Sequence, residues 1–129
     1  MMTIKGPKWA MWADNTANMP NYFVLYDNLE ENIRMAEEGD AWAQGLLADR
    51  YLKGRGVEQS NEKYAEWIRR AADQGEPQSQ FNMGCCYEEG IGVPVNMELA
   101  VEWYQKSAEQ GYKSAKEALR RIMKNKTKE

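Results

Sequence analysis

The stretch YLKGRGVEQSNEKYAEWIRRAADQG occupies residues 51–75, and its pattern returns at residues 87–111 as YEEGIGVPVNMELAVEWYQKSAEQG. Matched positions lie 36 residues apart, since Tyr51 recurs at position 87 and Trp67 recurs at position 103. A fixed period of this length is typical of stacked repeat proteins, in which one unit cannot bury its apolar face alone. The sequence therefore predicts a stack of repeated units.

Each copy has the pattern of two helices joined by a glycine-rich turn. In the first copy Tyr64, Trp67 and Ile68 follow the i, i+3, i+4 spacing of one helix face. The preceding Gly-x-Gly-Val segment, residues 54–57, is typical of a chain reversal. Capping residues and glycines extend this pattern and predict helices at residues 27–38, 40–53, 60–73, 76–89, 96–109 and 112–124.

Four segments carry a resemblance to a known family. LLADRYLKGRGV and NMGCCYEEGIGV form the first half of each unit, and AEWIRRAADQG and VEWYQKSAEQG form the second half. Over about residues 36–123 these segments resemble the Sel-one-like repeat family, whose members are α/α solenoids related to tetratricopeptide repeats. The resemblance implies an all-α, right-handed α/α solenoid of roughly two full plus two partial helix-turn-helix repeats of 36 residues.

The two copies differ at two positions that affect packing. Ala48 stands where the second copy has Gly84, and Tyr64 stands where it has Ala100. We expect the larger tyrosine to make the first unit pack slightly wider.

The repeat pattern divides the chain into three regions. Residues 1–26 fit no repeat, yet they contain too many apolar side chains for a solvated tail. They are interpreted as an N-terminal cap on the first repeat or, alternatively, as a partner-binding arm or a dimerisation element; we favour the cap because solenoid ends need cover. Residues 27–124 form the predicted solenoid, and residues 125–129 form a predicted frayed, charged tail.

Composition limits the classes of partner and the compartment. The chain of 129 residues has 17 basic and 20 acidic side chains, and this acidic balance argues against nucleic-acid binding. There is no apolar run of about 18 residues that would span a membrane and no convincing signal peptide. The only cysteines, Cys85 and Cys86, are adjacent and cannot join distant parts of the fold. We therefore expect a cytoplasmic protein without membrane or nucleic-acid partners.

The sequence lacks the residue patterns of a catalytic site and therefore predicts a protein that is not an enzyme. The sequence contains no histidine, which removes the commonest general base and metal ligand. Cys85 and Cys86 have neither zinc-site nor Cys-x-x-Cys spacing. Some cysteine-rich members of the family are linked to β-lactam binding or hydrolysis, but they carry a cysteine pair in every repeat. A β-lactamase-like hydrolase is therefore only a weaker alternative, and no catalytic residue, cofactor or metal is predicted.

The resemblance also implies a binding surface. In tetratricopeptide-like stacks the first helix of each unit lines a concave groove, and aromatic side chains there are typical binding anchors. The anchors would be Trp42 and Phe81, unless the N-terminal segment covers them. The predicted partner-binding residues are Trp42, Asp49, Lys53, Gln78, Phe81, Cys85, Glu89 and Arg121.

The function predicted from these observations is a non-catalytic protein-protein interaction module that binds a partner protein through the concave groove. A more specific hypothesis is a bacterial immunity protein that neutralises a cognate toxin or secreted effector, because small free-standing proteins of this type include such inhibitors. The alternative is an adaptor or scaffold in signalling or secretion.

Overall fold

A computed structural model describes residues 28–127 of the chain, and over this range it contains helices and no strand. The predicted all-α repeat fold is therefore confirmed. The helices are α1 (Leu29–Glu37), α2 (Ala41–Lys53), α3 (Asn61–Asp73), α4 (Pro77–Glu89), α5 (Met97–Glu109) and α6 (Lys113–Lys126).

The helix boundaries agree closely with the prediction except at the end of α6. This helix continues to Lys126, two residues beyond the predicted end, so the first part of the expected frayed tail is helical. The predicted N-terminal cap or arm, residues 1–26, lies outside the described residues, as do positions 128 and 129.

Local capping explains why the helices begin where they do. The side chain of each N-cap residue of α1 to α5 accepts a hydrogen bond from a backbone N–H three residues later, which satisfies one of the free donors of the first turn. These N-cap residues are Asn28, Asp40, Ser60, Glu76 and Asn96.

The helices pack in chain order, so that each one lies against its neighbours in sequence. The two repeat tryptophans, Trp67 and Trp103, are 9% and 6% exposed, and with Leu47 and Met83 they belong to the main apolar core. Cations cover both indole rings, since Arg70 lies 4.3 Å from the Trp67 ring centroid and Lys106 lies 4.5 Å from that of Trp103. The predicted helix face is thus the face that is buried.

The second Gly-x-Gly-Val turn fits tightly against the preceding unit. Gly92 has a φ of 72°, in the left-handed region, and a Cβ added there would lie 2.1 Å from the backbone oxygen of Asn61. Both the φ angle and the close approach require glycine. This turn therefore fixes the second unit against the start of α3.

Glutamine side chains connect successive units. Gln44 donates from Nε2 to the backbone oxygen of Ala36 over 3.0 Å. Gln74 donates to the backbone oxygen of Gly39 over 2.8 Å and to Oε1 of Gln44 over 2.9 Å. The same three hydrogen bonds recur 36 residues later among Gln80, Gln110, Ala72 and Gly75. These hydrogen bonds satisfy backbone oxygens at the ends of α1 and α3 and the side chains of the two buried glutamines. Without such partners, the buried polar groups would destabilise the fold.

A buried polar pair connects α1 to α2. Asn32 stands 36 residues before Ile68, and it is fully buried. Its Nδ2 donates to the backbone oxygen of Ala43 over 2.8 Å, and its Oδ1 accepts from Nε of Arg50 over 2.9 Å. This pair was not predicted, because asparagine and arginine are residue types that usually lie at the surface.

The difference between Ala48 and Gly84 has a direct steric cause. Ala48 belongs to a unit with Ile68, whereas Gly84 belongs to the unit in which Tyr104 takes the equivalent position. A Cβ added to Gly84 would lie 2.5 Å from Cδ1 and Cε1 of Tyr104, whose side chain is 1% exposed. The large ring can therefore be buried only because residue 84 has no side chain.

Replacing Gly84 with alanine is expected to lower the free energy of unfolding by about 1–3 kcal/mol, because the methyl group would overlap the buried Tyr104 ring. Gly45→Ala is the matched control, since Gly45 also lies inside a helix and an added Cβ meets no described atom within 4 Å. We expect this control to raise the free energy by about 0.5–1 kcal/mol through helix propensity. Urea denaturation measures both values, and equal stabilisation by the two substitutions would contradict the steric argument.

Candidate functional site

A groove of about 830 Å³ lies between α2 and α4, the first helices of the two full units. We name it the α2–α4 groove. Four predicted binding residues line it, namely Trp42, Asp49, Lys53 and Gln78. The other residues around it are Asp40, Ala41, Gly45, Leu46, Leu52, Tyr64, Ile68, Glu76, Ser79 and Asn82.

Gly45 gives this groove its space. The residue 36 positions later is Phe81, whose ring centroid lies 5.6 Å from that of Tyr104 and 5.5 Å from that of Tyr112. In the second unit a phenyl ring thus occupies the region that the first unit leaves open at Gly45. Phe81 does not line the α2–α4 groove; it belongs to an apolar cluster around Tyr104.

The groove combines apolar side chains with an excess of carboxylates. Asp40, Asp49 and Glu76 contribute three acidic groups, and Lys53 contributes one amine. Asp40 accepts from the backbone N–H of Ala43 over 2.8 Å, and Lys53 Nζ lies 3.2 Å from Oδ1 of Asp49. Glu76 likewise accepts from the backbone N–H of Ser79. Three carboxylates and one amine leave the groove with a net negative charge, which favours a ligand with basic groups beside apolar ones.

Burial also affects the tyrosine that lines the groove. Burial raises the pKa of the Tyr64 hydroxyl above its usual range. Like any tyrosine at neutral pH, Tyr64 is uncharged, and it offers a hydroxyl group on an aromatic ring.

A second group of predicted residues lies around Glu88, between α4 and α6. Glu88 accepts two hydrogen bonds from Arg121, over 2.7 and 2.8 Å, and one from the Tyr104 hydroxyl over 2.7 Å. The Tyr104 hydroxyl also lies 3.5 Å from Sγ of Cys85. Arg121 and Cys85 thus take part in contacts within the fold. Nothing in the local sequence indicated this role for Glu88, because its partner Arg121 lies 33 residues away.

The remaining predicted binding residue, Glu89, is exposed at the last position of α4 and does not line the α2–α4 groove. The eight predicted residues therefore do not form one site. The expectation that the first helix of each unit lines the groove correctly predicted the residues of α2. It did not predict Tyr64 and Ile68, which lie on α3, the second helix of the unit. Their membership in the apolar stripe gave no signal that they also border a groove.

The two cysteines are free thiols with little tendency to ionise. Burial raises the pKa of Cys86 to about 12, and the neighbouring Cys85 and Glu89 add to the effect. The pKa of Cys85 is also raised, mainly by burial. Since the thiolate is the reactive form, this environment disfavours nucleophilic chemistry at either residue.

Within residues 28–127, no group of three or more His, Cys, Asp or Glu side chains is arranged to hold a metal ion. Among the helices of the same range, none has the length and apolar character needed to span a bilayer.

The Glu88 contacts predict a pH-dependent stability. Hydrogen bonds from Arg121 hold the pKa of Glu88 below its usual range, with Tyr104 contributing. The carboxylate therefore stabilises the fold above the unfolded pKa of about 4.3, and this contribution is lost as pH falls through the lower folded pKa. Glu88→Gln is expected to lower the free energy of unfolding by about 1 kcal/mol at neutral pH and to flatten its decline in acid.

Thermal denaturation between neutral and acidic pH measures this effect. Glu89→Gln is the matched control because that side chain is exposed beside Glu88. If the Glu88→Gln variant loses stability in acid as steeply as the wild type does, the assigned role of the Arg121 contact is wrong.

Solved structures of repeat proteins resemble this chain. The Sel1 repeat protein from Oxalobacter formigenes has a TM-score of 0.70 and 36% sequence identity, over 73% of this chain and 27% of that one. A protective antigen from uropathogenic Escherichia coli strains, which displays an SLR fold, has a TM-score of 0.65 and 39% identity, over 67% of this chain and 19% of that one. The chain thus spans less than a third of either relative.

Cysteine rich protein B from Helicobacter pylori has a TM-score of 0.64 and 22% identity, over 67% of this chain and 65% of that one, which supports the fold alone. No curated protein sequence matches the chain significantly.

A family model described as Sel1 repeat matches the chain at residues 43–76 and 77–112, which together are more than half of the 129 residues. These matches contain both copies of the Gly-x-Gly-Val turn and both repeat tryptophans, which carried the resemblance in the sequence. The family resemblance noted from those residues is confirmed, and the chain belongs to the Sel1 repeat family.

Proposed function

We propose that the chain is a non-catalytic interaction module that binds a segment of a partner protein in the α2–α4 groove. Sel1 repeat proteins generally mediate protein-protein interactions. The observation that carries the proposal is the open space at Gly45, which Phe81 fills in the next unit. Such a groove between rigid helices can accept a side chain from a partner, and aromatic groups such as Trp42 provide contact area.

The polar lining narrows the kind of segment that fits. Three carboxylates and one amine border an otherwise largely apolar groove. A segment with an aromatic or aliphatic side chain next to lysine or arginine complements this surface in shape and charge. We assign no catalytic role, because the free thiols have raised pKa values and the sequence offers no histidine to activate them.

At a finer level, we propose a cytoplasmic immunity protein whose partner is a toxin or secreted effector. The two free thiols of α4 support a reducing compartment. Co-expression with each toxin encoded beside this chain tests the hypothesis, since an immunity protein restores growth. A signalling or secretion component as the stoichiometric partner would instead support the adaptor alternative.

Gly45→Phe is expected to weaken partner binding by at least about tenfold, or about 1.4 kcal/mol, because the ring fills the groove as Phe81 does in the second unit. The fold should tolerate this change, since an added Cβ at position 45 meets no described atom within 4 Å. Gly45→Ala is the control, which alters helix propensity but leaves most of the groove open.

Affinity capture from the native host, followed by mass spectrometry, identifies the partner, and calorimetry with the purified partner gives the affinities. Circular dichroism checks that each variant is folded. Equal affinities for the wild type and a folded Gly45→Phe variant would contradict binding in the groove. Phe81→Glu is unsuitable for this test, because Phe81 packs against Tyr104 and Tyr112 and its loss would disturb the fold.

A further inference from the structure

We propose that residues 4–12 of this same chain, IKGPKWAMW, occupy the α2–α4 groove when no partner is bound. This inference rests on the proposed function, because it assumes that the groove is a binding site. It goes beyond that function by identifying an internal ligand that competes with the partner. The inference follows from the chemistry of the groove, the composition of the segment and the length of chain that connects them.

The segment has the chemistry that the groove selects. It contains the apolar side chains of Trp9, Met11 and Trp12 next to Lys5 and Lys8, and residues 1–12 include no acidic side chain. The groove presents three carboxylates and one amine around its apolar lining residues. The two surfaces are therefore opposite in charge and alike in apolar content, which is the complementarity expected of an interface.

The connecting chain is long enough. Residues 13–27 provide 15 residues between the segment and Asn28, which can span up to about 50 Å. The groove follows α2, whose 13 residues extend about 20 Å. The tether begins at α1, which packs directly against α2, as the hydrogen bond from Asn32 to the backbone of Ala43 shows.

A tethered ligand has a high effective concentration, on the order of millimolar for a short flexible connection. It therefore occupies the site even when its intrinsic affinity is weak, and a partner must displace it. The tethered segment thus regulates binding, because only a tightly binding partner displaces it from the groove.

Site-specific cross-linking in the full-length protein tests the proposal. We would introduce the photoreactive residue p-benzoylphenylalanine at Gln78, which lines the groove and is exposed. After irradiation of a dilute sample, mass spectrometry should identify intramolecular cross-links to residues 4–12. Ser114 is the matched control, because it occupies the equivalent exposed position 36 residues later on α6. The yield there should be at least about tenfold lower.

Two further variants make the result specific. Gly45→Phe should lower the yield from Gln78 by about tenfold by filling the groove, and Lys5→Glu combined with Lys8→Glu should lower it by reversing the charge of the segment. Equal yields at Gln78 and Ser114, cross-links only to other parts of the chain, or cross-links that form only between two molecules would each overturn the proposal. Independently, unchanged partner affinity in Gly45→Phe would refute the proposed function while leaving the cross-linking result intact.

Discussion

The fold depends on the burial of each repeat's apolar face against the next repeat. Trp67 and Trp103 occupy the same place in successive units, and neither helix pair could bury its tryptophan alone. The glutamine hydrogen bonds complete this contact, because they satisfy polar groups that stacking removes from water. Stacking and polar satisfaction therefore repeat with the same period and fix the units in one register.

Sequence differences between the two full units create the α2–α4 groove and the packing around Tyr104. Gly45 leaves a groove where Phe81 fills the equivalent space. Gly84 admits the Tyr104 ring, whereas the equivalent positions in the first full unit are Ala48 and Ile68. The space between α2 and α4 is thus open as a groove, whereas the equivalent space between α4 and α6 is closed by the side chains around Tyr104. Hydrogen bonds between Glu88 and Arg121 further connect α4 to α6 at this end of the repeat stack.

The predicted binding residues are divided between an open groove and contacts within the fold. Only part of the predicted surface borders the α2–α4 groove; of the rest, Phe81, Cys85 and Arg121 take part in contacts around Tyr104 and Glu88. The groove itself is apolar with an acidic margin, a combination that selects its ligand by charge as well as by shape. Because the N-terminal segment has the complementary composition, binding and self-occupancy can be two states of one site.

The helices, their N-caps and the buried tryptophan face followed from the sequence, since they depend on residue spacing within one helix or on neighbouring residues such as Asp40 and Ala43. Only the tertiary structure showed that Asn32 and Arg50 form a buried pair, that Glu88 is bound by Arg121, and that the space at Gly45 is open. These features depend on which side chains meet across different helices and on how much volume they fill. A local periodic pattern specifies the direction of a side chain, whereas its neighbours are determined only when the units stack.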